Sequence, residues 1–277
     1  MNLASLPWSL WRTQTVAVTR LELRRILSFR RVWWILAAAP VVLTGLHSLA
    51  AAGGKWPCSL GMDTRAYAGI FQLFILRFGI FFGCVGIFTT LFRGEVIEKT
   101  MHYYFLTPVR REILALGKYI AGEITAMIAF VGGSALAYVL ITLHFGAAHW
   151  QRLLRGPGLY ELGWYVLVSA LACLGYGAIF LAFGLWFKNP MIPAIALLIW
   201  EGLNPFLPAV FKNLSVIFYL QGLCPVEVSA EGPSALFAIL SEPPPVWVSI
   251  PSVVLLAAAM LVLAGLTVRK MEVNYGE

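Results

Sequence analysis

Six long apolar blocks constrain this chain more than any other feature: Val32–Ala52, Ala66–Phe92, Tyr119–Leu143, Leu162–Phe187, Met191–Phe211 and Val246–Val268. Each exceeds the roughly 18 apolar residues that mark a membrane-spanning helix, at about 1.5 Å of rise per residue against about 30 Å of hydrocarbon. Lipid offers no partners for open backbone donors and acceptors, so blocks of this length must be helical. A barrel would need short strands of alternating polarity, which are absent from the sequence. With 60% of residues hydrophobic and only 12% charged, a soluble, disordered or fibrous chain is excluded. The expected fold is an all-α membrane protein with six transmembrane helices.

Lysine and arginine set the orientation. With the N-terminus in the cytoplasm, 14 of these residues fall on the inside, 5 fall outside, and Arg77 lies within a span. That asymmetry places both termini inside. The net charge of +7 is then a positive-inside signature, drawn to anionic membrane lipid, and requires no nucleic acid. No cleavable signal peptide is expected, because residues 1–31 lack a continuous apolar core.

Residues 1–31 read as a cytoplasmic interfacial segment ahead of the transmembrane domain, residues 32–268. Trp11, Val18 and Phe29 share one helical face, flanked by Leu21 and Ile26; Thr13, Arg20, Arg24 and Arg31 oppose it. A helix lying in the inner interface fits this pattern, although Arg25 interrupts its apolar face. An anchor for the first span is the alternative.

The cytoplasmic loop 93–118 carries two further elements. Thr107-Pro108 suits a helix start. Val109, Ile113 and Leu116 recur on one side of the helix it would open, with Arg110, Arg111 and Glu112 on the other and Gly117 as a stop. A second short element, 100–106, brings Tyr103, Tyr104 and Phe105 to the interface. The outer region 212–245 contains Leu214–Leu223 and Ala235–Leu240, each too short to span and so re-entrant or interfacial. Pro243, Pro244 and Pro245 form a stiff lead into the last span, and residues 269–277 form a cytoplasmic tail.

Enzymatic motifs are missing. The Gly-Lys pairs at Gly54-Lys55 and Gly117-Lys118 are followed by Trp and Tyr, so no phosphate-binding loop is present and no ATP hydrolysis is expected of this chain alone. There is no H-E-x-x-H, Cys-x-x-Cys or G-x-S-x-G. His144 and His149 lack a neighbouring carboxylate or cysteine in sequence, and no metal site is expected of them. Cys84 and Cys173 lie within spans as small apolar fillers. Cys58 and Cys224 both fall outside, where an oxidising compartment would permit a disulfide. Gly79-x-x-x-Gly83, Gly132-Gly133-Ser134 and Gly175-x-Gly177 allow close helix packing.

Two charges stand deep in the bilayer. Arg77 and Glu201 each lie roughly 15 Å from the nearer end of their span, at about 1.5 Å per residue. Such ions face a partner or water, so an ion pair between two helices and a place on a transport path are both open. Glu123, a few residues into the third span, can snorkel or cap. Glu161 sits at an outer edge.

The run Glu95-x-x-Glu98-Lys99-Thr100, Leu106-Thr107-Pro108-Val109-Arg110-Arg111 and Leu116-Gly117-Lys118 resembles the permease subunits of ABC transporters of the second, export-related type. That family often has glycine where Lys99 stands. The six-span layout, the N-terminal interfacial helix and the broken outer element extend the resemblance to nearly the whole chain. It implies a permease that works with a separate ATP-binding-cassette subunit and a second permease copy or homologue. ATP and magnesium would be held by the partner, with no cofactor on this chain. The loop residues Glu95, Glu98, Thr100, Pro108, Arg110, Arg111, Gly117 and Lys118 would couple to the ATPase. The expected location is a bacterial cytoplasmic membrane. A membrane scaffold, or less readily a lipid-modifying enzyme using Arg77 and Glu201, are the alternatives.

Overall fold

The structure, a computed structural model, describes residues 8–28, 33–54, 58–203, 209–213, 215–226 and 244–271. Their regular structure is helical, with no strand among them. Helix α1 is Trp8–Ser28 and α2 is Trp33–Ala52. α3 is one continuous rod, Leu60–Ile97, with a π-helical stretch at Ile70–Ile80. α4 is the short helix Met101–Phe105. α5, Arg111–Phe145, has a π stretch at Met127–Val131. There follow α6, Ala147–Arg155; α7, Gly158–Trp186; α8, Met191–Leu203; α9, Ala209–Lys212; α10, Val216–Gln221; and α11, Val246–Lys270.

Five helices among the described residues are long and apolar enough to span: α2, α3, α5, α7 and α11. The expected fifth span, Met191–Phe211, is not among them. Its helix α8 has 13 residues, about 20 Å of length, less than the hydrocarbon thickness. Residues 204–208 of that block lie outside the described residues, and its last part is described as α9, Ala209–Lys212.

Side-chain contacts fix the directions of the rods. Tyr67 on α3 meets Tyr165 on α7 with ring centroids 4.9 Å apart, and further along both, a Cβ at Gly184 would lie 2.8 Å from the Thr89 carbonyl oxygen. α3 and α7 therefore run parallel, in contact so close at Gly184 that only hydrogen fits. Gly175 lies against Val253, 3.2 Å from where a Cβ would sit, and further along both helices Trp186 Nε1 donates to Thr267 Oγ1 at 2.9 Å, which together set α11 parallel to α7. His47 and His144 rings meet at 5.9 Å, while Gly133 abuts Ala37; α2 and α5 run together in the opposite sense. α7 is the hub of the bundle, with Tyr165, Val168, Ala172, Tyr176 and Phe180 buried. α2 and α11 keep most of their apolar surface exposed, as lipid-facing helices do.

The outer region holds one deeply placed element. α10 buries Val216, Ile217 and Leu220, and Val216 reaches Gly175 in the middle of α7. This short helix is thus inside the bundle, not on its surface. The expected piece Ala235–Leu240, Pro243, Phe29, Arg30, Arg31 and the tail from 272 lie outside the described residues. Cys58 and Cys224 are free thiols. Cys224 lies against the Leu220 carbonyl oxygen at 3.6 Å, and Cys58 beside His47 at 3.9 Å; no disulfide forms. Glu161, read as an unremarkable edge residue, is buried. It accepts Arg152 at 2.7 and 2.8 Å and the Tyr138 hydroxyl at 2.7 Å.

Candidate functional site

Of the loop residues singled out from sequence, Glu95, Glu98 and Lys118 come together where the first helix crosses the start of α5. Lys118 is fully buried. Its ammonium donates to Glu22 Oε1 at 2.6 Å, Glu95 Oε1 at 2.5 Å and the Leu91 carbonyl oxygen at 3.1 Å. It also lies 4.6 Å from the Tyr104 ring centroid and 5.4 Å from that of Phe92, as a desolvated cation over aromatic faces does. Arg25 extends the network, reaching Glu95 Oε1 at 2.7 Å and Glu98 Oε2 at 2.6 Å. The Tyr104 hydroxyl donates to Glu22 Oε1 at 3.0 Å. Burial first, then Glu22 and Glu95, push the Tyr104 phenol upward in pKa, which keeps it a neutral donor. Burial works against the charge on Arg25, but Glu95, Glu22 and Glu98 outweigh it and its pKa rises.

Glu22, Arg25 and Tyr104 were not among the expected site residues. Arg25 carried the available signal: an arginine interrupting an apolar face needs a reason, and here it faces two carboxylates. α1 accordingly lies against protein along Thr19, Glu22 and Ile26, which are buried. Arg20, Arg24, Val16 and Leu27 face outward. The face assigned from sequence to the acyl chains is in part the face that seats on α5. Gly117 permits that crossing. A Cβ there would come within 2.7 Å of the Val18 side chain, and the Thr19 hydroxyl donates to its carbonyl at 3.2 Å.

The connection between α3 and α5 differs from expectation at Thr107-Pro108. No separate amphipathic helix spans 108–118. α5 begins at Arg111, with Arg110 in extended conformation at its N-cap, and runs straight on into the membrane. Thr107 and Pro108 instead follow the end of α4, whose C-cap is Leu106, a position where proline stops a helix. Consequently Ile113 is buried while Leu116 is exposed. Thr100 closes a different turn. Its N–H bonds the Glu95 carbonyl at 2.9 Å and the Lys99 N–H bonds that of Val96 at 3.3 Å, a Schellman end with Lys99 at φ 57°. Lys99 thus adopts the left-handed conformation that glycine would favour.

The remaining loop residues divide. Pro108 is exposed and its carbonyl accepts from Gln14 at 3.1 Å. Arg110 is 54% exposed, with its guanidinium 4.9 Å from the Trp11 ring centroid. Arg111 is turned to the last span, donating to the carbonyls of Arg269 at 3.2 Å and Met271 at 2.8 Å. Tyr103 and Leu106 are 63% and 80% exposed. Between them and α1 lies an open cavity of about 450 Å³, bordered by Leu21, Arg25, Thr100 and Thr107. The surface is thus an apolar and aromatic rim over a buried charge network, with the exposed Arg110 held between the Trp11 ring at 4.9 Å and Glu112 Oε2 at 3.9 Å. It can bind a partner; it holds no nucleophile paired with a base.

Arg77 and Glu201 lie elsewhere, partway along α3 and near the end of α8. Glu201 accepts the N–H groups of Val216 at 3.0 Å and Ile217 at 3.2 Å and the Ser215 hydroxyl. Its carboxylate thereby satisfies the first donors of α10, at the positive end of that helix dipole. No ion pair within 4.0 Å joins Arg77 to Glu201 among the described residues; Arg77 sits in the π stretch with Nε unpartnered. Glu123 does not snorkel. Both its carboxylate oxygens are buried and lack hydrogen-bond partners, one of them near Gly177.

A family model described as ABC-2 family transporter protein matches residues 65–267, from the start of α3 to the last turn of α11. No curated protein matches the chain.

Proposed function

The chain belongs to the ABC-2 family of transporter membrane proteins, and on that premise we propose that it is the permease subunit of an ATP-driven exporter. A separate ATPase subunit would supply the energy, holding ATP and magnesium itself. A second permease, identical or homologous, would complete the translocation path in a bacterial cytoplasmic membrane. Six crossings fit this reading better than five. Trp186 and Thr267 share one end of the bundle, so the chain must return between α7 and α11, and α8 with the buried α10 supplies a broken traverse. Glu201 makes the break tolerable, because interrupted backbone at membrane depth must find partners inside the protein.

The observation that carries the proposal is the Lys118–Glu22–Glu95–Arg25 network. It locks α1, the end of α3 and the start of α5 into one body that presents Tyr103, Leu106 and Arg110. A force applied to that rim by an ATPase would pass directly into two spans. Arginine and aromatic side chains are enriched at such interfaces, and Arg110 can take a carboxylate bidentately. Arg111, bound to the end of α11, is a structural residue in this reading. The alternative of a scaffold has no observation in its favour.

The test is co-purification of a cognate ATPase with the tagged chain and ATP turnover in liposomes. Leu106→Glu with Arg110→Glu is expected to keep the fold, since both positions are exposed, and to abolish capture and coupled turnover. Capture and turnover equal to wild type would move the docking surface elsewhere. No ATPase recovered with wild type would remove the permease reading.

A further inference from the structure

At the end of the bundle opposite the charge network, four metal-ligating side chains from three separate segments converge. His47 lies near the end of α2, Cys58 precedes α3, Asp63 is in its first turn, and His144 lies at the end of α5. His47 Nε2 is 3.2 Å from Asp63 Oδ2, His144 Nε2 is 3.5 Å from the same oxygen, and Cys58 Sγ is 3.9 Å from His47 Nε2. Ligand atoms of His47, Cys58 and Asp63 all lie within 4.8 Å of one another. Ligands held about 2.0–2.3 Å from a tetrahedral centre are roughly 3.3–3.8 Å apart; the separations of 3.2, 3.5 and 3.9 Å lie close to that range, with His47, Cys58 and Asp63 mutually close and His144 approaching through Asp63.

A second observation points the same way. The His144 side chain is 6% exposed, and both of its ring nitrogens are buried without a hydrogen-bond partner. A buried imidazole ordinarily finds a partner for at least one nitrogen. Asp63, 5% exposed in its side chain, faces both histidines. A divalent cation would satisfy the unpartnered imidazole. With a thiolate, a carboxylate and two neutral imidazoles it would also leave the cluster without net charge.

We propose that His47, Cys58, Asp63 and His144 form a binding site for one divalent transition-metal ion, with zinc the best match to two nitrogens, one sulfur and one oxygen. Magnesium and calcium are excluded by the thiolate and imidazoles, since both prefer an all-oxygen shell. The site pins the outer ends of α2, α3 and α5 to one another. Sequence alone pointed away from it, because His144 has no carboxylate or cysteine nearby in the chain; its partners arrive from about 80 to 97 positions upstream.

The experiment uses the full chain in detergent, purified without a histidine tag and stripped of metal with EDTA. Cobalt(II) is titrated in as a spectroscopic probe and then displaced with zinc. One equivalent is expected, with tetrahedral visible bands and a near-ultraviolet thiolate band that zinc abolishes. Cys58→Ser should remove the thiolate band, and Asp63→Asn or His144→Gln should weaken binding at least about tenfold. Cys224→Ser should change nothing. In the unmutated chain, zinc should slow alkylation of Cys58 mapped by mass spectrometry, a readout that does not depend on any variant folding. If wild type takes up no cobalt equivalent, if uptake survives both Cys58→Ser and His144→Gln, or if zinc leaves Cys58 alkylation unchanged, the cluster is a polar contact and no metal site. None of these readouts requires an ATPase, so they stand or fall apart from the permease reading.

Discussion

Lys118 Nζ lies 2.6 Å from Glu22 Oε1, joining the third long apolar segment to the N-terminal helix across 96 positions of sequence. Neither group sees solvent, their side chains being 0% and 1% exposed. A charge so buried is tolerable only while its partners stay in place.

Lys118→Met is therefore expected to cost about 3–5 kcal/mol, because it leaves Glu22 and Glu95 buried without their shared cation. Replacing all three with leucine should recover most of that loss, since Arg25 keeps Glu98 on the exposed side. Denaturation midpoints in detergent would check this. A triple variant as unstable as the single one would show that the network contributes through packing instead of charge pairing.

Lys99 holds a left-handed backbone with φ 57° at an exposed helix end. Lys99→Gly should raise stability by about 0.5–1 kcal/mol, by relieving a conformation that a Cβ disfavours. Lys99→Val should lower stability, because a β-branched side chain fits that region least. Thermal midpoints of the two variants should move in opposite directions. A shift of the same sign for both would mean that the Schellman turn is not what limits this loop.

Glu201 and Arg77 give a third test, in the form of a double-mutant cycle. Glu201→Leu removes the acceptor for two backbone donors of α10 and should cost about 2–6 kcal/mol, one to three for each donor left without a partner. Arg77→Leu should have nearly the same effect with or without Glu201, with coupling below about 1 kcal/mol, as for groups not in direct contact. Coupling of several kcal/mol in chemical denaturation would mean that the two form a true ion pair.

The apolar blocks determined, without any tertiary information, that this chain crosses a membrane as helices, and its arginines and lysines supply the expectation of which end faces the cytoplasm. Those conclusions are local. They depend on transfer of side chains and backbone out of water, residue by residue, and each block carries its own answer. The loop motif was legible for the same reason, since Glu95, Glu98 and Lys118 stand in one short stretch of chain.

What the sequence could not supply was who faces whom. Lys118 meets Glu22, Arg25 meets Glu95, Glu201 caps α10, and His144 meets Asp63 only after helices have packed. Each such pairing is fixed by rod direction, by crossing points such as Gly117 against Val18, and by depth, none of which is encoded at a constant spacing. Proline placement shows the same division. Pro108 is compatible with opening one helix or closing another, and its own fixed φ and missing N–H do not choose between them. The choice falls to the tertiary structure, in which Met101 is buried at the start of α4 and Gln14 of α1 binds the Pro108 carbonyl. Long-range burial decides wherever local propensity is satisfied equally by two arrangements.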